Sequence, residues 1–303
     1  MLSSIIGFYI AQSLQPILPM NPSTEIPVVE SSRFEINKLD FTNFLSVNPM
    51  PTKKTEFIAP VINSAAAISI DEKTGAVLYE KNAHQSRQIA SLTKLMTAVI
   101  ILEENDPTSI VTIPKIANYQ DGSQMFLRTG EQITVENLLY GLMINSANDA
   151  AMALAEFNAG SVEKFVEKMN KKAEELNLKE THFQNPIGLD HRHNYSSAYD
   201  MANLARYVYQ KDFIQKVAII KEMEVKSTDE KTVHKLKSTN NLLDSYLKIK
   251  GLKTGTTDQA GQCLAAIASN DNNNEIITVV LGSPARFTES KVLIDWTFRA
   301  YTW

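Results

Sequence analysis

The spacing of apolar residues along the chain predicts strands at both ends of a globular region and helices between them. Apolar runs at 65–70 and 76–79 flank a polar, glycine-terminated stretch, which predicts a β-hairpin. Apolar residues then recur at helical spacing from Ser91 onward. Further helices are predicted over 135–142, 149–156, 162–169, 199–209 and 289–301, and further strands over 222–226, 232–237, 251–256, 262–269 and 275–281.

Polar residues at the ends of these patterns predict where helices begin and end. Thr134 and Ser161 each precede an apolar helical pattern and are predicted N-caps, because a hydroxyl there accepts a backbone N–H that lacks a partner within the helix. Gly160 is predicted to close the helix before Ser161. With strands from both ends sharing one antiparallel sheet, flanked by helices and joined to an all-helical lobe, the predicted fold class is α+β.

The first 57 residues lack this regular pattern. Residues 1–20 are mostly apolar, but the apolar run is nearer ten residues than the ~20 that a spanning helix needs, so we interpret it as a signal or anchor segment. Residues 21–57 contain several prolines among polar residues and are a predicted linker. The globular domain is predicted to occupy 58–303.

Composition and charge narrow the function only slightly. Hydrophobic residues make up 44% of the chain, which is enough for a large core, and the net charge of -4 gives no reason to expect nucleic-acid binding. The one cysteine, Cys263, excludes an internal disulfide. Because it lies in an apolar run, it is predicted to be a buried small side chain rather than a nucleophile.

A candidate nucleophile occurs where the first long helix begins. Ser91-Leu92-Thr93-Lys94 places a serine and a lysine three residues apart, on one face of a helix. A hydroxyl attacks at neutral pH only if a base takes its proton, and lysine is a base only if burial or a second cation lowers its pKa. The pattern therefore predicts an enclosed Lys94 with another cation nearby. The pattern alone is weak evidence, since Ser161 and Lys164 share the same spacing.

Two further short motifs follow in the chain, and the order of all three is more specific than any one of them. Ser146-Ala147-Asn148 follows it in a predicted turn between helices, and Lys253-Thr254-Gly255 lies on a predicted strand. The order S-x-x-K, S-x-N, K-T-G is typical of enzymes that recognise penicillin. Each short motif also has decoys in this chain, namely Ser46-Val47-Asn48, Ser238-Thr239-Asn240 and Lys73-Thr74-Gly75.

From about Ala66 to Trp303 the chain resembles the D-alanyl-D-alanine carboxypeptidase family, the low-molecular-mass penicillin-binding proteins. Besides the three motifs, the resemblance rests on the stretches 127–131, 146–151, 185–190, 197–202 and 251–257. It implies a β-lactamase/transpeptidase-like fold. It also implies a serine peptidase that removes the terminal D-alanine from peptidoglycan stem peptides through an acyl-enzyme, without a cofactor or metal.

The resemblance also implies roles for individual residues. Ser91 would attack the carbonyl between the two D-alanines, Lys94 would accept its proton, and Ser146 would relay a proton to the leaving D-alanine. Substrate-binding roles are implied for Asn148, Lys253, Thr254, Gly255 and Thr256, with backbone N–H groups of Ser91 and Thr256 forming the oxyanion hole. β-Lactams are expected to acylate Ser91. The expected location is extracytoplasmic, in a bacterial cell envelope, with the protein secreted or attached to the membrane through its N-terminus.

Alternative interpretations stay open at this stage. An endopeptidase that cuts peptidoglycan cross-links would carry the same motifs. A class A-like β-lactamase would need a carboxylate to activate water, and Glu167 with Asn170 offers only a superficial match within an amphipathic helix. A metal-binding wall protein would use Asp190, His191 and His193, which form at most half a zinc site.

Overall fold

The structure, a computed structural model, describes residues 50–303, apart from the side chains of residues 118 and 119. The predicted signal or anchor segment and residues 21–49 of the predicted linker lie outside the described residues. Within 50–303, no helix is both long and apolar enough to span a bilayer.

A five-stranded antiparallel sheet, with strand order β3-β2-β10-β9-β8, is the centre of the fold. Strands from both ends of the chain form it, as the sequence predicted. Their bounds are β2 Ala66–Asp71, β3 Val77–Lys81, β8 Lys248–Thr257, β9 Gly261–Ser269 and β10 Glu275–Ser283. One edge strand, β8, leaves its outer side unpaired within the sheet.

Both faces of the three central strands β2, β9 and β10 are covered, which explains why these strands are mostly apolar runs without polar alternation. Along β9, Cys263, Ala265 and Ile267 pack into the core shared with the helical lobe. The intervening Leu264 and Ala266 pack into a second core with the last helix, through residues such as Trp296. Cys263 is fully buried, as predicted.

Six helices build the lobe on one face and a seventh covers the other face. Thr134 and Ser161 cap their helices by accepting the backbone N–H groups of Asn137 and Lys164, which confirms both predicted N-caps. Gly160 ends the helix before Ser161 with a left-handed backbone. The helices are α1 Lys94–Glu104, α2 Val135–Ile144, α3 Asn148–Ala159, α4 Val162–Glu175, α5 Ala198–Tyr209, α6 Asp212–Val217 and α7 Arg286–Ala300.

Short elements account for most of what the sequence pattern did not predict. The two-residue strands β1 (Thr52–Lys53) and β11 (Tyr301–Thr302) pair with each other. A strand therefore occurs within 21–57, the range predicted to be a linker. The ribbon of β4 (Ile110–Thr112) and β5 (Gln132–Thr134) and the helix α6 were also not predicted. Two to six residues are too few for a period to be recognised. The remaining ribbon, β6 (Glu222–Lys226) with β7 (Val233–Lys237), agrees with the prediction.

Candidate active site

The candidate nucleophile lies on the turn that leads into α1. Residues Ala90–Thr93 form a single 3₁₀ turn and α1 proper starts at Lys94, so the α-helix begins three residues later than the sequence predicted. The turn still projects Ser91 and Lys94 to the same side. Their Oγ and Nζ atoms are 2.9 Å apart.

Lys94 is fully enclosed, as its predicted role as a base requires. Its Nζ contacts the side-chain oxygen of Asn148 at 2.6 Å and the backbone carbonyl of Ile187 at 2.6 Å, besides Ser91 Oγ. Burial lowers the pKa of Lys94 far below its ordinary value, and the nearby Lys253 ammonium lowers it further, whereas Asp149 opposes both. The structure therefore favours the neutral amine.

The contacts of Lys94 also show what the neutral amine would do. A neutral amine has two N–H bonds and one lone pair. The two carbonyl oxygens can only accept hydrogen bonds, so they take both N–H groups and leave the lone pair directed at the Ser91 hydroxyl. The Asn148 amide is oriented for this because its Nδ2 donates to the backbone carbonyl of Asp121 at 2.5 Å.

Ser146 lies in the tight connection between α2 and α3, and Asn148 is the first residue of α3. Ser146 has a left-handed backbone with φ of 59°, which turns the chain sharply before α3. The loop that includes Ser123 is fixed to this connection, because the backbone N–H of Asn148 donates to Ser123 O at 2.7 Å. The carboxylate of Asp149 accepts the N–H of Met125 at 3.1 Å and secures the same loop.

The K-T-G motif lies on the edge strand β8, directly against the nucleophile turn. A side chain at Gly255 would bring a Cβ within 2.7 Å of the backbone nitrogen of Ser91, so only glycine permits this approach. Lys253 is 1% exposed. Burial, and secondarily the charge of Arg286, lowers the pKa of Lys253 to about 7.

The stretch 185–190 packs against the turn that carries Ser91, as β8 does. Gly188 has φ of +87°, and a Cβ there would be 2.0 Å from the carbonyl oxygen of Ala90. This close approach places the Ile187 carbonyl within hydrogen-bond distance of Lys94 Nζ. Asp190 then accepts the hydroxyl of Thr257 at 2.5 Å and the backbone N–H of Gln259 at 3.1 Å, and so ties this stretch to the end of β8.

All three motifs meet at one cavity of about 210 Å³. Its wall includes the predicted site residues Ser91, Ser146, Asn148, Thr254, Gly255 and Thr256. Lys94 and Lys253, the other two predicted site residues, are buried and do not form part of the wall that the structure describes.

The cavity wall also includes residues that were not predicted as site residues, among them Gly122, Ser123, Arg286 and Thr239. Arg286, the first residue of α7, donates from Nη1 to the Gly255 carbonyl at 2.8 Å and to the Thr256 hydroxyl. Thr239 reaches the cavity from the segment after β7, with its Oγ1 2.6 Å from Thr254 Oγ1. Arg286 belongs to no motif that could have found it, whereas Thr239 lies within one of the S-x-N decoys.

The other decoys within the described residues have ordinary structural roles, whereas Ser46-Val47-Asn48 lies outside the described residues. Ser161 is a helix cap and Lys164 is exposed on α4, as is Glu167 of the β-lactamase alternative. Thr74 bonds the Asp71 carboxylate within the β2–β3 turn. Among residues 50–303, no three histidine, cysteine, aspartate or glutamate side chains are grouped so that they could hold a metal ion.

The antiparallel sheet, its helical lobe and the hydroxyl held against a buried lysine whose pKa is lowered define a protein of transpeptidase-like fold with a serine–lysine centre. The chain belongs to the D-alanyl-D-alanine carboxypeptidase family, whose model matches residues 53–285. This finding confirms the resemblance inferred from the motifs.

Individual relatives agree with this assignment. The chain is 40% identical to D-alanyl-D-alanine carboxypeptidase DacF of Bacillus subtilis over 82% of its own length, and 38% identical to DacA of Escherichia coli over 80%. The matched region spans 65% and 62%, respectively, of those two proteins.

Solved structures confirm the predicted fold. The Streptomyces K15 DD-transpeptidase aligns with a TM-score of 0.75 at 32% identity, over 80% of this chain and 99% of that one. Penicillin binding protein 5 from Haemophilus influenzae aligns with a TM-score of 0.74 at 36% identity, over 80% of this chain and 72% of that one.

Proposed function

We propose that this chain is a serine-type D-alanyl-D-alanine carboxypeptidase that acts on peptidoglycan stem peptides through an acyl-enzyme on Ser91. One observation carries the proposal. Lys94 Nζ lies 2.9 Å from Ser91 Oγ and has carbonyl acceptors at its other two positions. This arrangement suits a general base that takes the serine proton. The family membership supports the choice of substrate.

In the acylation step, Ser91 Oγ attacks the carbonyl carbon of the penultimate D-alanine while its proton passes to Lys94. The oxyanion that forms accepts hydrogen bonds from the backbone N–H groups of Ser91 and Thr256. The contact between Gly255 and the nucleophile turn supports this pairing, because it holds β8 beside Ser91. Each oxyanion donor of this kind typically contributes ~3 kcal/mol to transition-state stabilisation.

Collapse of the tetrahedral intermediate breaks the C–N bond, and the leaving amine of the terminal D-alanine takes a proton relayed by Ser146. Water then attacks the Ser91 ester, releases the shortened peptide as a carboxylic acid, and restores the serine hydroxyl. None of these proton or acyl transfers requires a metal or an organic cofactor.

The terminal carboxylate of the substrate is assigned to the part of the cavity where Thr254 and Arg286 lie. Thr254 offers a hydroxyl, and Arg286 offers the guanidinium charge on the wall. Lys253, which is buried, adds positive potential and helps to keep Lys94 neutral. The unpaired edge of β8 is suited to an extended peptide, which would add to the sheet as a further strand.

The proposed setting follows from the substrate. Peptidoglycan stem peptides are exposed outside the cytoplasm, so the proposed location is the bacterial cell envelope, with β-lactams as covalent inhibitors. The segments 1–20 and 21–57 are proposed to serve as signal or anchor and as linker, ahead of a catalytic domain at 58–303.

Covalent labelling by a fluorescent penicillin tests the proposal. We expect stoichiometric labelling of the wild type at Ser91, none in Ser91→Ala, and a loss of at least ~10³ in the labelling rate of Lys94→Ala, because the base is removed. Lys164→Ala is the matched control, since Lys164 has the same spacing from a serine but lies exposed on α4. Equal damage from both lysine substitutions would refute the choice of base.

The peptide products then define the activity. A carboxypeptidase releases free D-alanine from a pentapeptide, whereas an endopeptidase separates a cross-linked dimer into its two halves. Many turnovers per second on nitrocefin would instead favour the β-lactamase alternative. Failure of the wild type to label at all would contradict the whole proposal.

A further inference from the structure

Thr239 belongs to none of the three motifs, but it contacts Thr254 of the K-T-G motif and the end of α2, two residues before the S-x-N motif. Its backbone N–H donates to the carbonyl of Ile144 at 3.3 Å, at the end of α2 just before Ser146. Its hydroxyl lies 2.6 Å from the hydroxyl of Thr254. Thr239 is half-buried and lines the same cavity as Ser91.

We propose that Thr239 is a positioning residue, whose hydroxyl directs the single proton of the Thr254 hydroxyl towards the carboxylate of the substrate. The inference rests on the proposed function, because it concerns how that substrate is held. It assigns Thr239 a part in selecting ligands that carry a free carboxylate.

The argument depends on the number of hydrogens available. Each threonine hydroxyl has one hydrogen and two lone pairs, so only one of the two can donate in the hydrogen bond between them. When Thr239 donates, the Thr254 hydrogen is free to point into the cavity. When Thr254 donates, its lone pairs face the cavity and would repel an anion.

An arriving carboxylate selects the first arrangement. Thr239 then donates to Thr254, and Thr254 donates to the carboxylate. Chains of this kind polarise each other, and hydrogen bonds to an ionised acceptor are shorter and stronger than neutral ones. Thr254 is 4% exposed, so water has little access to replace Thr239 as the donor.

The pair therefore discriminates by charge. A carboxamide in place of the carboxylate carries no net charge and presents donors as well as an acceptor, so it gains little from an oriented Thr254 proton. Removing the Thr239 hydroxyl is expected to weaken the carboxylate ligand and to leave the carboxamide ligand unaffected.

Thr239→Val tests this by removing the hydroxyl at constant shape, and Thr239→Ser retains the hydroxyl. Thr112→Val is the control, because Thr112 lies exposed on β4. The substrates are an N-acyl-L-lysyl-D-alanyl-D-alanine and its C-terminal carboxamide. For the acid, we expect Thr239→Val to lower kcat/KM about tenfold, mainly through KM, with Thr239→Ser and Thr112→Val within about twofold of wild type.

For the carboxamide, Thr239→Val should match the wild type. An equal loss on both substrates, or no loss on either, would overturn the inference. The acylation rates with a penicillin and with its methyl ester provide the same comparison without a peptide. If the wild type is acylated by penicillin but hydrolyses no D-alanyl-D-alanine peptide, the proposed function fails, while the acid-to-ester ratio of Thr239→Val still decides the role of Thr239.

Discussion

Asn148→Asp converts the contact between Asn148 and Lys94 into a charge without changing its shape. The amide oxygen lies 2.6 Å from Nζ, and Lys94 is 0% exposed. At an effective dielectric constant of ~20, a carboxylate at this distance favours the ammonium form by about 6 kcal/mol. If desolvation of the new carboxylate offsets half of that, about 3 kcal/mol remains, which is about 10² in the fraction of neutral Lys94.

The direction in which Asn148→Asp changes the pKa of Lys94 can be tested by the pH dependence of acylation. In the wild type, burial and then Lys253 lower the pKa of Lys94, which favours the neutral form of the base. In Asn148→Asp the pKa of Lys94 rises, and the base becomes available only at higher pH. Penicillin acylation measured from pH 5 to pH 10 should therefore fall about 10² at pH 7 and recover as the pH is raised.

Asn148→Ala separates charge from geometry. It removes the same acceptor and adds no carboxylate, so its rate can fall, but the acid limb of its pH profile should not move to higher pH. If Asn148→Asp loses activity equally at every pH, or keeps the wild-type limb, then ionisation of Lys94 does not control acylation and the reasoning is refuted.

Two further predictions concern the ion pairs of Glu103 near the end of α1 and the packing of Gly188 against the turn that carries Ser91. Burial raises the pKa of Glu103, but hydrogen bonds from Lys211 and Lys172 outweigh it and lower that pKa to about 2. This stabilisation is fully present above the ordinary carboxyl pKa and is lost as the pH falls through about 2. Glu103→Gln should therefore cost about 1 kcal/mol in urea unfolding at pH 7, after screening by solvent, and a small fraction of that at pH 2, where about half of the Glu103 carboxyl is still ionised. Gly188→Ala should cost more than about 2 kcal/mol and abolish penicillin labelling, because its Cβ would displace the backbone at Ala90; unchanged labelling would contradict this packing.

The sequence predicted those parts of the fold that depend on neighbouring residues. The caps at Thr134 and Ser161 use a hydroxyl and an N–H three residues away, so local order was sufficient to find them. The buried strands of the sheet were predicted because a strand covered on both faces must be apolar throughout. The pair of β1 and β11 could not be predicted, since two residues carry no period and their partners lie about 250 positions away in sequence.

Some residues of the candidate site could be predicted from chemical requirements, whereas others are placed there only by tertiary packing. A lysine base needs enclosure and a second cation, and this requirement alone predicted a buried Lys94 and another cation nearby. The structure places Lys253 in that position. No chemical requirement of this kind predicted Arg286, because its position beside Gly255 depends on how α7 packs on the sheet.

The decoys show why a short pattern cannot identify its own role. Ser146-Ala147-Asn148 and Ser238-Thr239-Asn240 share the same spacing, yet their asparagines serve different ends. Asn148 accepts from Lys94, whereas Asn240 caps the short helix Asn241–Asp244. The residue of the second pattern that reaches the cavity is its middle one, Thr239, which the pattern leaves unspecified. The hydroxyl that lies against Thr254 therefore follows from where the segment between β7 and β8 packs rather than from the motif.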